Sequence, residues 1–221
     1  MDVLEQLRDR HTGATFAIIG SGPSGRAYAG REDVAIAVNG GALVDVPFHY
    51  FACGDISSPD TQWFHAASAY QVRRLIASFV APFDAAMYPE PDLRARLQAD
   101  LRATRGTPPY DYVPLARPVG RHAWFRYAVP HFPHAHATLD RFCAQARVAH
   151  GATIAGVALQ IAHLMGAASL VLYGCNLDND DGRNYLHPRA SVGRTLPVQR
   201  TNMATLVGWL AGHGKPVTVV R

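Results

Sequence analysis

The chain has 221 residues, 48% of them hydrophobic, enough to bury one large core without staples, which favours a single domain over two small ones. Its formal charge of +4 rests almost wholly on arginine, with Lys215 the one lysine, and these charges are scattered instead of stacked on a periodic face. That pattern argues against nucleic acid and for anionic small molecules.

No run of about eighteen apolar residues is present, the start at Met1 lacks a basic segment followed by an apolar one, and Cys53, Cys143 and Cys175 show no C-x-x-C spacing. The expectation is a soluble, cytoplasmic chain with no integral membrane segment, disulfide framework or structural zinc.

In chain order, strands are expected at Thr15 to Gly20, Asp33 to Asn39, His49 to Gly54, Ala123 to Val129, Ser169 to Gly174 and Pro216 to Val220. Each is a short run rich in β-branched or aromatic residues bounded by Gly, Asp, Asn or Pro. Helical patterns lie between them at Thr61 to Val80, Pro91 to Arg105, Leu139 to His150, Thr153 to Met165 and Gln199 to Ala211. The clearest is Thr153 to Met165, where Ile154, Val157, Ala158, Ile161 and Met165 share one face. Alternating strands and helices predict an α/β fold: a single, doubly wound domain over residues 1–221 with a mostly parallel sheet.

Residues 88–121 break the alternation. They carry Pro89, Pro91, Pro108, Pro109, Pro114 and Pro118 with little apolar periodicity outside one short helix, and read as a proline-rich excursion or lid. His122, His131, His134, His136 and His150 are close in sequence, but His134 and His136 alternate around Ala135 after Pro133. A loop or bent strand is expected there, and no metal site.

Gly20-Ser21-Gly22-Pro23-Ser24-Gly25 matches G-x-G-x-x-G after a strand. Two features speak against a dinucleotide site. Only residues 26–32 separate Gly25 from the next strand, too few for the helix that supports a pyrophosphate. That strand ends at Asn39, where such a site needs Asp or Glu. A P-loop is excluded because no lysine follows the glycines. What remains is a tight turn whose backbone N–H groups approach an anion, with Ser21 and Ser24 as added donors, since its small residues have no evident packing need. A plain strand-to-turn connection is the competing reading. Two apolar strands ending in small or polar residues, at Gly20 and at Gly174, suggest a nucleotide crevice.

Ile19-Gly20-Ser21-Gly22-Pro23-Ser24, then Ala37-Val38-Asn39-Gly40, then Tyr50-Phe51-Ala52-Cys53-Gly54-Asp55, then Gly151 to Gly166 leading into Leu172-Tyr173-Gly174-Cys175-Asn176-Leu177-Asp178, form an ordered set. It resembles the bacterial lipooligosaccharide sialyltransferases. It is equally similar to a broader, Rossmann-like group containing the 6-hydroxymethyl-7,8-dihydropterin diphosphokinases. The chain departs from the sialyltransferases at Ser21, where Asn is common, and at Gly25, where an apolar residue is.

The resemblance implies a transferase whose donor is a cytidine monophosphate-activated sugar, without a metal or other cofactor, acting on a glycan or other small-molecule acceptor. It implies nucleotide contacts at Gly20, Ser21, Gly22, Ser24, Asn39, Asp55, Thr153, Asn176 and Asp178. Tyr185 resembles the family's phosphate-contacting tyrosine, and His187 is the nearest counterpart of its catalytic base, in a pKa range that suits proton acceptance. Arg183, Arg189, Arg194 and Arg200 offer forks for phosphate or carboxylate. Structural alternatives stand beside these: Asn39 as a strand-end turn residue, Thr153 as a helix N-cap, His187 as a surface histidine beside Pro188. The runner-up chemistry is a magnesium-dependent transfer of pyrophosphate from ATP, with Asp55, Asp178, Asp180 and Asp181 as oxygen ligands. A nucleotide-binding protein without chemistry is the third reading.

Overall fold

The computed structural model describes residues 3–53, 73–78, 110–116, 135–149, 153–175 and 196–221. Their strands are β1 (Thr15–Ile19), β2 (Val34–Val38), β3 (Tyr50–Cys53), β4 (Arg73–Ser78), β5 (Tyr110–Ala116), β6 (Val148–Ala149), β7 (Ser169–Tyr173) and β8 (Val217–Val219). They form an eight-stranded sheet in the order β6-β5-β4-β3-β2-β1-β7-β8, and every pairing is parallel. The helices are α1 (Val3–Leu7), α2 (Ala135–Ala144), α3 (Ile154–Leu164) and α4 (Leu196–Gly212). This is the expected doubly wound α/β architecture.

Period-two alternation divides the central strands between two cores. Phe16 and Ile18 of β1, with Val34, Ile36 and Val38 of β2, face a cluster that includes Leu4 and Leu7 of α1, Leu139 and Phe142 of α2, most of α3, and Met203, Leu206, Trp209 and Leu210 of α4. Ala17, Ile19, Ala35 and Ala37 face the other way, against Tyr28, Ala42, Val44, Phe48 and Phe51. Among the described residues, the alanines on this second face let the irregular connections that carry Tyr28, Ala42, Val44 and Phe48 lie close to the sheet. The connection from β1 to β2 contains only a 3₁₀ turn at Pro23–Ala27, the short return expected after the glycines.

The helix α3 starts where Thr153 accepts the N–H of Gly156 at 3.0 Å. It stops at Gly166, whose φ of +89° suits glycine, with Ala167 N–H returning to Ala162 C=O at 3.1 Å. One polar side chain lies buried within it. Gln160 accepts the Ala149 N–H at 2.7 Å and donates to Ala149 C=O at 2.8 Å and Gly156 C=O at 3.0 Å. An amide side chain thereby hydrogen-bonds both backbone groups of Ala149 in strand β6.

Several expectations need correction. Residues 73–78, read as part of a helix from Thr61 to Val80, are strand β4. Residues 110–116, read as part of the excursion, are strand β5 between β4 and β6, so the chain returns to the sheet there despite Pro114. The helix expected at Leu139 to His150 runs from Ala135 to Ala144 and gives way to β6. His136 therefore lies on a helix, exposed, and not on a loop or bent strand. The strand expected at Ala123 to Val129, the helix at Pro91 to Arg105, and His122, His131, His134 and His150 lie outside the described residues.

Where α2, α3 and α4 meet, His163 packs against Trp209 in a tilted contact with ring centroids 4.6 Å apart, and Trp209 donates its indole N–H to Asp140 at 2.7 Å. His213 lies 3.1 Å from the same carboxylate. Burial first, then the neighbouring Lys215 and His213, pushes the pKa of His163 down to about 4, and its Nδ1 is buried without a hydrogen-bond partner among the described residues. A folded-state pKa below the unfolded value of about 6.5 means that the folded protein binds fewer protons between those limits. The contribution is fully present above about 6.5 and is lost as pH falls toward about 4. Urea unfolding of wild type and His163→Phe is expected to differ in pH slope across this window. Wild type should lose on the order of 1 kcal/mol more, allowing for solvent screening of the half-buried ring. Parallel slopes would refute this.

Candidate functional site

From β1 the strands add in sequence order as far as β6, whereas β7 lies on the opposite side of β1. The order reverses between β1 and β7, and in open parallel sheets that reversal leaves a crevice outside the carboxyl ends of the strands. Because β3, β2, β1 and β7 are adjacent and parallel, their carboxyl ends share this edge.

Three loops meet there backbone to backbone. Gly20 N–H donates to Tyr173 C=O at 2.6 Å, and Gly22 N–H donates to Gly174 C=O at 3.0 Å. A Cβ on Gly20 would meet Gly174 O and lie 2.7 Å from Cys175 Sγ, and one on Gly22 would lie 2.8 Å from Gly174 O. A Cβ on Gly41, in the 3₁₀ turn Asn39–Leu43, would meet the carbonyl of Ile19. The expectation that small residues in the turn have no packing need is therefore overturned: Gly20 and Gly22 are small because the loop after β7 lies against them.

This contact changes the donor set. The N–H groups of Gly20 and Gly22 are engaged within the protein, and Gly25 N–H donates to Gly22 C=O at 2.9 Å. These amides are not the anion cradle that the sequence suggests. Ser24 is also engaged, accepting Gly174 N–H at 2.9 Å and donating to Val220 C=O at 2.8 Å. Ser21 is half-buried, and its side chain has no hydrogen bond among the described residues.

Asn39 follows β2 directly with φ at +45°, a left-handed conformation that Asn tolerates better than most residues. Its Oδ1 is buried with no hydrogen-bond partner among the described residues, and an unmet buried acceptor costs about 1–3 kcal/mol. Thr153 takes the N-cap role, and its hydroxyl donates onward to Met203 Sδ at 3.6 Å.

Behind the strand ends, Cys175 is fully enclosed. Burial pushes its thiol up to about 12, which disfavours the thiolate, and its Sγ lies against the carbonyl of Tyr173 at 3.3 Å. Tyr173 donates to Glu32 Oε1 at 2.6 Å and stacks edge-on with Tyr28 at 5.5 Å. Burial first, then the bond to Glu32, pushes the phenol up to about 12. Sequence reasoning missed this pair; the signal present was a tyrosine immediately before a strand-ending glycine.

The structure thus brings Gly20, Ser21, Gly22, Ser24 and Asn39 to one edge of the sheet. Asp55, Asn176, Asp178, Tyr185 and His187 lie outside the described residues, as do Asp180, Asp181, Arg183, Arg189 and Arg194. Arg200 is exposed on α4. Among the described residues no group of three His, Cys, Asp or Glu could hold a metal ion, and no helix is long and apolar enough to cross a membrane. No family model matches the sequence, and no curated protein matches it.

Proposed function

We propose that the chain binds a nucleotide across the carboxyl ends of β1, β2 and β7 and transfers a sugar from it, with a cytidine monophosphate-activated, sialic-acid-like sugar as donor. The observation that carries the binding site is Asn39: a buried acceptor with no hydrogen-bond partner among the described residues, held in a left-handed conformation just after β2, beside the point where strand order reverses. A ligand N–H or O–H would satisfy it. The β1–β2 connection, without an α-helix, supports a mononucleotide over a dinucleotide.

The choice of reaction rests on the ordered resemblance of the motifs. In this reading Tyr185 hydrogen-bonds the departing phosphate and His187 takes the proton of the acceptor hydroxyl as the oxocarbenium-like sugar departs. Ser21, whose hydroxyl has no hydrogen bond among the described residues, is the donor the turn offers in this reading, whereas the Ser24 hydroxyl is engaged by Gly174 and Val220.

A thermal-shift panel tests the site. Cytidine monophosphate at about one hundred times its dissociation constant should stabilise the protein by about 2.7 kcal/mol. Stabilisation by FAD or NAD alone would overturn the proposal, and stabilisation only by ATP with magnesium would replace it with the diphosphokinase chemistry.

A further inference from the structure

Ser24 closes a chain of hydrogen bonds that runs from the glycine turn to the last strand. Gly22 N–H donates to Gly174 C=O at 3.0 Å, Gly174 N–H donates to Ser24 Oγ at 2.9 Å, and the Ser24 hydroxyl donates to Val220 C=O at 2.8 Å. Val220 N–H in turn donates to Leu172 C=O at 2.9 Å, within β7. The hydroxyl uses its one donor and one of its acceptor sites here.

The geometry of the two ends makes this link consequential. Gly174, with φ at +64°, is the residue against which Gly20 and Gly22 pack at the carboxyl ends of β1 and β7, so its position fixes how the loops after these two strands lie against each other. The strand β8 is short, pairs through Val217–Val219 with Leu170–Leu172 and through flanking backbone bonds at Pro216 and Val220, and exposes Thr218 and Val219. An edge strand so thinly held is seated in part by bonds beyond its ladder.

We propose that Ser24 is a positioning residue that couples the seating of β8 to the shape of the nucleotide crevice, so that ligand occupancy and β8 docking stabilise each other. Coupling of this kind is reciprocal: whatever tightens the crevice must protect β8, and loosening β8 must weaken the ligand by the same factor. The ligand arm of the inference rests on the nucleotide reading given above. The arm concerning Gly174 and β8 does not.

Amide hydrogen exchange and calorimetric titration with cytidine monophosphate, on wild type, Ser24→Ala and Ser24→Thr, test both arms. In Ser24→Ala the Gly174 and Val220 amides should exchange about tenfold faster and nucleotide affinity should fall by a similar factor. Ser24→Thr, which keeps the hydroxyl, should restore both, and saturating nucleotide should slow exchange in wild-type β8 but not in Ser24→Ala. Wild-type exchange rates at Gly174 and Val220 in Ser24→Ala would overturn the coupling. So would nucleotide binding that leaves wild-type β8 exchange unchanged. If wild type does not bind the nucleotide, the functional reading fails, and exchange in Ser24→Ala alone decides whether Ser24 seats β8.

Discussion

Gly174→Ala is expected to destabilise the protein by about 3 kcal/mol or more, from two sources of similar size. The left-handed conformation at φ +64° costs a residue with a Cβ about 1–2 kcal/mol. The new Cβ would lie 2.6 Å from Gly20 O, 2.8 Å from Gly22 O and 2.9 Å from Gly22 N, all backbone atoms that cannot swing aside as a flexible side chain does. Overpacking of this kind adds about 1–3 kcal/mol. Gly208→Ala is the matched control. Gly208 lies inside α4 with nothing within 4 Å of its notional Cβ, so alanine there should stabilise by about 0.5–1 kcal/mol. Urea unfolding of the two variants should give shifts of opposite sign. A Gly174→Ala variant within about 0.5 kcal/mol of wild type would show that the loops after β1 and β7 are not locked together.

The contrast between Gly174 and Gly208 marks what a sequence can carry. Strands β1, β2, β3 and β7 were legible because each is an apolar run closed by a turn residue, and local pattern is sufficient when a strand is largely buried; β8, an exposed edge strand, was legible from its β-branched run after Pro216. Strand β4 was hidden because Arg73-Arg74-Leu75-Ile76-Ala77-Ser78 fits the end of a helical pattern, and β5 because Pro114 reads as a breaker. Their pairing depends on neighbouring strands more than on intrinsic preference. Strand β6 has two residues, and part of its pairing is supplied by Gln160 from a helix.

The site follows the same rule. Asn39 was visible as a polar residue ending an apolar run, but its orphaned acceptor and positive φ required the fold. The glycines were visible and their reason was not, because the backbone that Gly20 and Gly22 accommodate belongs to Gly174, remote from them in sequence. The hydroxyl of Ser24 was read as a ligand donor for the same cause: Gly174 and Val220, its partners, are remote in sequence. Glu32 and Tyr173, 141 residues apart, left no pairwise signal at all.

On the proposed glycosyl transfer, His187→Ala should cut turnover about a hundredfold or more while leaving cytidine monophosphate affinity nearly unchanged. A general base acts on the acceptor proton in the transition state, so its loss raises the barrier by about 2.7 kcal/mol without weakening the bound donor. Tyr185→Phe should instead weaken donor binding or leaving-group departure, because the hydroxyl it removes bonds the phosphate. Chelator should leave wild-type activity intact, since the proposed base and phosphate donor are both side chains. Steady-state kinetics with a cytidine monophosphate-activated sugar, read as separate kcat and KM for each variant, distinguishes these roles. Full activity in His187→Ala, or loss of wild-type activity on chelation with recovery on adding magnesium, would move the chemistry to the carboxylates Asp55 and Asp178. Magnesium held by one or two carboxylates and the substrate phosphates would then be the electrophile that draws off the leaving group.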